Sequence, residues 1–177
     1  MKKKVNIIIG RFQPFTTGHL GCIEKVWGEY KTPTIICMID VAEGKVDNKH
    51  PFPSSLLKSI YTDIFHNNPM IEGILLVKNA DIVKIGNELY NKGYEINSWV
   101  CGTDRFNSYK RMSDKYKDEA HLTDSFKLLE VARDGNDVSS TMLREFLLDD
   151  NYEMFSNISP LKNYYNVLRN QILKVYK

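Results

Sequence analysis

"VNIIIGRFQPFTTGH", residues 5–19, is the stretch on which the fold turns. Val5 to Ile9 form an apolar run that stops at Gly10, the pattern of a strand buried inside a parallel sheet. The turn-rich residues 11–18 follow. From His19 the spacing changes, and Leu20, Ile23, Val26, Trp27 and Tyr30 share one helical face. Strand, tight turn and helix in that order open a β–α–β unit.

Outward from this unit the alternation continues. Thr34 to Ile39 reads as a second strand, β-branched and preceded by Pro33. Residues 40–53 are polar and punctuated, hence an exposed loop. Ser54 or Ser55 is the expected cap of a helix whose apolar face is Leu57, Ile60, Tyr61, Ile64 and Phe65. Ile71 to Val77 is a third strand. A helix with Ile82, Ile85 and Leu89 on one face ends at Gly93. Ile96 to Cys101 is a fourth strand, stopping at Gly102. A short helix from about Asp104 to Ser113, a polar stretch, a fifth strand near Lys127 to Ala132 and a helix from Ser140 complete the order. Residues 161–176, behind Pro160, read as one amphipathic terminal helix.

Right-handed crossovers between such strands build a Rossmann-like three-layer α/β/α sandwich on a five-stranded, mostly parallel sheet. The 177 residues suffice for one domain with one sizeable core, and residues 1–177 are taken as that domain. Lys and Arg number 24 against 22 Asp and Glu, a net charge of +2 that gives no basic face for a nucleic acid. No apolar run approaches the roughly 20 residues that cross a bilayer, and the basic opening meets Gly10 too soon for a signal peptide. Cys22, Cys37 and Cys101 are odd in number and widely spaced, as expected of reduced thiols in the cytoplasm. A homo-oligomer is compatible with this composition, which does not determine the assembly.

Strand ends are where such sheets bind ligands. Gly10 lets a backbone come close at the end of the first strand, with Arg11 and Phe12 beside it. Gly18 and His19 stand where the next helix opens, so unpaired N–H groups, an imidazole and the Thr16 hydroxyl point at one crevice. That is a phosphate site in outline, although an ordinary turn with a capping histidine has the same spelling. The turn lacks the Gly-Lys-Ser/Thr of a Walker loop and the GxGxxG of a dinucleotide fingerprint. Near the other end, residues 138–144 read "VSSTMLR". Ser139, Ser140 and Thr141 can cap a helix there or join its N–H groups in holding an anion, and Arg144 can fork onto phosphate oxygens.

"GRFQPFTTGH" resembles the signature of the nucleotidylyltransferase superfamily, whose turn reads His-or-Thr, any residue, Gly, His. Thr16, Thr17, Gly18 and His19 match it, with Gly10 and Phe12 upstream. "VSSTMLR" resembles the second signature, Ile/Val-Ser-x-Thr-x-x-Arg, and His19 and Ser139 lie 120 positions apart. The "GRFQPF" spelling is most similar to archaeal-type nicotinamide-nucleotide adenylyltransferases. Those normally place His first in the turn, whereas Thr16 resembles phosphopantetheine adenylyltransferases.

The resemblance implies that ATP and nicotinamide or nicotinate mononucleotide condense to NAD, or its deamido form, and pyrophosphate. The alternatives are phosphopantetheine as acceptor, or CTP with another phosphorylated compound. It implies His19 on the α-phosphate with Thr16 assisting. Ser139, Ser140, Thr141 and Arg144 are then expected on the leaving pyrophosphate. Gly102, Asp104 and Arg105 line the nucleotide site in this view; on the residues alone, Asp104 is equally a helix cap and Arg105 its partner. Lys45, Lys49 and His50, in the loop whose "HPF" resembles an "NPF" of these enzymes, are candidates for a substrate phosphate. Phe12 or Phe15 either stacks on a ligand or anchors the turn, and Trp99 belongs to the core. Mg²⁺ is expected to ride on the nucleotide phosphates, since no acidic cluster offers a protein-held metal site.

Overall fold

A computed structural model describes residues 1–131 and 139–176. Strands β1 (Lys3–Gly10), β2 (Thr34–Ile39), β3 (Ile71–Val77), β4 (Tyr94–Cys101) and β5 (Leu122–Glu130) alternate with helices α1 (Thr17–Tyr30), α2 (Ser54–Phe65), α3 (Ile82–Asn91) and α4 (Thr103–Lys115). After β5 come α5 (Ser140–Leu148), α6 (Tyr152–Ile158) and α7 (Tyr165–Val175). The strands stand in the order β3-β2-β1-β4-β5, and all four pairings are parallel. The chain therefore runs outward from β1 to β3, then crosses back to β4, and the crevice between β1 and β4 is the topological switch point.

Alternation along β1 divides the core. Ile8 faces one side, with Ile36 and Met38 of β2, against Ile23 of α1, Leu57 and Tyr61 of α2, and α5 to α7. Val5 and Ile7 face the other, with Trp99 of β4, against Ile85 and Leu89 of α3 and Tyr109 of α4. Trp99 is fully buried and stacks on Tyr109 with centroids 4.0 Å apart, as expected of a core residue. The polar interruption of β1, Asn6, is satisfied inside the sheet: it accepts from the Ser98 hydroxyl at 2.6 Å and donates to the Thr32 carbonyl at 2.7 Å.

Three expectations need correction. The fifth strand begins at Leu122, five residues before Lys127, because the register against β4 jumps between Ile96 and Ser98 and absorbs the polar stretch. Its expected end at Ala132, like Val138 of the second motif, lies outside the described residues. The terminal helix is not continuous over residues 161–176. A 3-10 turn at Lys162–Tyr164 precedes α7, and the separate α6 escaped notice because its seven residues carry too short an apolar pattern. Ser54 does not cap α2, whose N-cap is Pro53; its hydroxyl instead accepts from the Val41 N–H at 2.5 Å, tying the loop after β2 to the helix.

No helix among the described residues is long and apolar enough to cross a membrane.

Candidate active site

The turn between β1 and α1 is held from below by polar groups that reach it from other elements. Gln13 is 2% exposed and clamps Phe52, donating to its carbonyl at 2.7 Å and accepting from its N–H at 3.0 Å. The Tyr61 hydroxyl of α2 donates to the Phe12 carbonyl at 2.6 Å and accepts from the Phe15 N–H at 2.9 Å. Burial pushes the Tyr61 pKa far up, so it remains the neutral donor this arrangement needs. The Gln13–Pro14 peptide is cis. Phe12 takes a positive φ of 50°, and its ring slides under Gly10, where an added Cβ would lie 3.1 Å from the ring. Gly10 is thus needed first for the turn's own packing, a reason distinct from approach of a ligand.

Removing the Gln13 clamp should be expensive, because Phe52 is fully buried and both its backbone groups would lose their partner. Gln13→Ala is expected to cost about 2 kcal/mol, readable as a lower midpoint in urea unfolding with the slope unchanged. An unchanged midpoint would show that water replaces the side chain.

On this platform α1 starts with a reciprocal capping box. The His19 N–H donates to the Thr16 hydroxyl at 3.1 Å, and the Thr16 N–H donates to His19 Nδ1 at 3.0 Å. The second bond decides the tautomer: Nδ1 accepts, so the imidazole is neutral and carries its proton on Nε2. The Phe12 ring meets the imidazole edge-on at 4.8 Å and Phe15 at 5.2 Å, fixing its plane. His19 is half-buried, Gly18 exposed and Thr16 1% exposed. Thr16 therefore sits behind His19. Phe15 is fully enclosed, against Tyr61 and Phe65, which makes it an anchor and corrects its place among substrate-stacking candidates.

The second motif docks on the first. Ser139 caps α5, accepting from the Met142 N–H at 3.2 Å. The Ser140 hydroxyl donates to the Pro14 carbonyl at 2.8 Å, and Arg144 Nη1 donates to the Gln13 carbonyl at 2.7 Å. Arg144 Nη2 also donates to the Thr141 hydroxyl at 3.2 Å. The guanidinium is thus aimed by the turn that carries His19. Two of its five N–H donors are used in this way, and the others suit an anion.

On the α3–α4 side of the strand ends lies a cavity of about 730 Å³, whose lining includes Arg11, Ile39, Lys78, Asp81, Arg105 and Tyr109. Gly102 is the N-cap of α4; a Cβ there would meet an Asp104 carboxylate oxygen at 3.0 Å. Asp104 lies in the first turn of α4 and is not its cap, and among the described residues Arg105 makes no ion pair with it. The Cys101 thiol, at the end of β4, is pushed up to about 11 by burial and then by Glu130 and Asp104, so it offers no thiolate nucleophile at neutral pH.

Lys45, Lys49 and His50 are not brought to this cavity. Lys45 ends a 3-10 turn at Glu43–Lys45, and His50 Nδ1 pairs with Asp47 at 3.2 Å. Among the described residues no three His, Cys, Asp or Glu gather as metal ligands. Gln13 and Lys78 were not singled out from the sequence, and Tyr61 was read there only as part of an apolar helix face. A buried amide in a turn and a lysine after a strand give no local signal.

The arrangement offers neutral N–H donors, one imidazole N–H and several guanidinium groups around strand ends, and no activated side-chain nucleophile. It can bind phosphates and stabilise charge on them.

Comparison with solved structures gives two nicotinic acid mononucleotide adenylyltransferase complexes from Plasmodium falciparum, each 18% identical over 96% of this chain and 97% of that one. The complex with NaAD has a TM-score of 0.60 and that with APC 0.56. A bifunctional NMN adenylyltransferase/ADP ribose pyrophosphatase from Francisella tularensis has a TM-score of 0.64 at 18% identity; 98% of this chain is covered, and it spans 52% of that protein. At such identity these share the fold. No curated protein matches by sequence. The family model described as cytidylyltransferase-like matches residues 7–146, a span that runs from β1 into α5 and takes in both the residue 10–19 turn and the start of α5. The chain therefore belongs to the cytidylyltransferase-like family and is a nucleotidyltransferase.

Proposed function

We propose that the chain condenses ATP with nicotinamide or nicotinate mononucleotide, giving NAD or its deamido form and pyrophosphate. The observation that carries this reading is the docking of Arg144 and Ser140 on the Gln13–Pro14 carbonyls, which seats the α5 start beside the His19 box. A triphosphate lying over both has its α-phosphate at α1 and its leaving end at α5. The cavity on the other side of the strand ends is left for the acceptor. The solved adenylyltransferases named above support the acceptor class, the P. falciparum one having been solved with NaAD.

The acceptor's phosphate oxygen attacks the α-phosphorus in line, and the bond from that phosphorus to the bridging oxygen breaks as pyrophosphate departs. A phosphate monoester is already a competent nucleophile, so positioning and charge stabilisation suffice. His19 Nε2–H donates to an α-phosphoryl oxygen, with Thr16 as positioning residue. The helix N–H groups after Ser139 and the remaining Arg144 donors hold the pyrophosphate, while Gly102, Asp104 and Arg105 border the nucleotide. The donor set fits a Mg²⁺ that travels on the triphosphate rather than one held by the chain; when bound, it would neutralise phosphate charge. Residues 1–177 are read as one such domain, cytoplasmic, with small nucleotides rather than nucleic acid or membrane as ligands.

A pyrophosphate-release screen of ATP and CTP against nicotinamide mononucleotide, nicotinate mononucleotide, phosphopantetheine and phosphocholine tests this. ATP with a mononucleotide should give the signal. Turnover confined to CTP, or to phosphopantetheine as the Thr16 spelling would favour, overturns the substrate assignment.

A further inference from the structure

The cavity carries more positive charge than one acceptor phosphate requires. Its lining holds Arg11, Lys78 and Arg105 against one carboxylate, Asp81. That carboxylate is committed, because its Oδ1 accepts from the Val83 and Lys84 N–H groups at 3.1 and 3.2 Å as the cap of α3. Among the described residues, none of the three cations has a carboxylate within 4.0 Å. Further along α3, Lys84 and Glu88 border an adjoining hollow that Lys78 and Asp81 also line.

The placing of the cations matters more than their number. Arg11 follows β1 and Arg105 lies in the first turn of α4, after β4, so both flank the switch-point crevice where the acceptor phosphate must meet the α-phosphorus. Lys78 follows β3, and the order β3-β2-β1 puts it two strands away, roughly 10 Å at ordinary strand spacing. Ile39, at the end of β2, supplies an apolar surface between. A ligand matching this lining has a phosphate at one end, a planar ring over Ile39 and a second anionic group at the far end. Asn79 beside Lys78 does not discriminate: its Oδ1 accepts from the Asp81 N–H at 3.0 Å, and its amide hydrogens can serve a carboxylate or a carboxamide alike.

We infer that Lys78 is a specificity-determining residue that selects an acceptor bearing a carboxylate remote from its phosphate, hence nicotinate over nicotinamide mononucleotide; this rests on the adenylyltransferase reading above. An exposed lysine makes a modest contribution until a ligand covers it, so the selection should be about tenfold in kcat/KM and shrink as salt is added.

The test is kcat/KM for each mononucleotide with saturating ATP in wild type, Lys78→Met and Lys78→Arg. Wild type should favour the acid about tenfold; Lys78→Met should bring the ratio near one through a higher KM for the acid; Lys78→Arg should keep the preference. A wild-type ratio at or below one overturns the inference alone, as does a Lys78→Met ratio equal to wild type. Pyrophosphate release with neither mononucleotide removes the functional reading itself, and this inference with it.

Discussion

Replacing His19 with Ala is expected to lower the turnover of pyrophosphate release by roughly 10²- to 10³-fold, the loss seen when one pre-aimed donor to a developing charge is removed. The imidazole is fixed in every respect that matters for such a donor. The Thr16 N–H bond to Nδ1 sets the tautomer, and Phe12 and Phe15 fix the ring plane. Donation from Nε2 then needs no reorganisation as charge builds on the α-phosphoryl oxygens. The same substitution also breaks one half of the capping box, which should cost about 1 kcal/mol of stability. His19→Asn separates the two effects, since a short polar side chain can still accept from Thr16 without placing a donor where Nε2 was. Both variants should be slow, and only the Ala variant should melt earlier. Steady-state turnover of His19→Ala equal to wild type would remove His19 from the chemistry.

Thr16, where the archaeal-type spelling has His, gains a physical account in this setting. The residue is an N-cap with its side chain 1% exposed, accepting from the His19 backbone, and Thr is a favoured cap. A Thr at this position therefore positions the His19 backbone.

The succession of strands along the chain and both sequence motifs were legible because they depend on local pattern. Val5 to Ile9, Thr34 to Ile39 and Ile71 to Val77 are apolar runs ended by turn residues, and each forms a strand of the sheet. What joins the segments was not legible. Gln13 contacts Phe52, Arg144 contacts Gln13, and Tyr61 contacts Phe12, across separations of 39 to 131 residues. Such bonds leave no periodicity: Gln13 would read the same on a solvated surface, and the helical spacing of Tyr61 says that it is buried without saying which carbonyl its hydroxyl meets. The substrate candidates drawn from the loop after β2 failed to reach the cavity for a related reason: Lys45, Lys49 and His50 fit a phosphate by charge, and charge alone does not say where a loop goes. Lys78 had no such signal, being one lysine after one strand until the parallel order placed it at the far end of a cavity.

Gly86 shows the same limit in the fold itself and supports the largest expected loss of stability. Within α3 it looks like a weak helix residue, one whose replacement by Ala would ordinarily add up to about 1 kcal/mol. The structure reverses the sign. A Cβ at Gly86 would lie 2.1 Å from the Ala120 carbonyl oxygen, 2.7 Å from its carbon and 2.8 Å from its Cα. All three are backbone atoms, so no rotamer change relieves the contact. Nor can the segment retreat cheaply. Ala120 is fully buried; its N–H donates to the Tyr116 carbonyl at 2.9 Å, and His121 follows at a positive φ of 55° before β5 begins. Gly86→Ala must therefore push α3 off the sheet or distort the entry to β5, at a cost of about 3 kcal/mol. For a chain of this size that lowers the thermal midpoint by roughly 6–12 °C. Gly28 supplies the control: it is exposed on α1 with nothing within 4 Å of an added Cβ, so Gly28→Ala should leave the midpoint equal or raise it. Scanning calorimetry of the two variants beside wild type decides the matter, and a Gly86→Ala midpoint within a degree of wild type would mean that α3 does not rest on the Ala120 backbone.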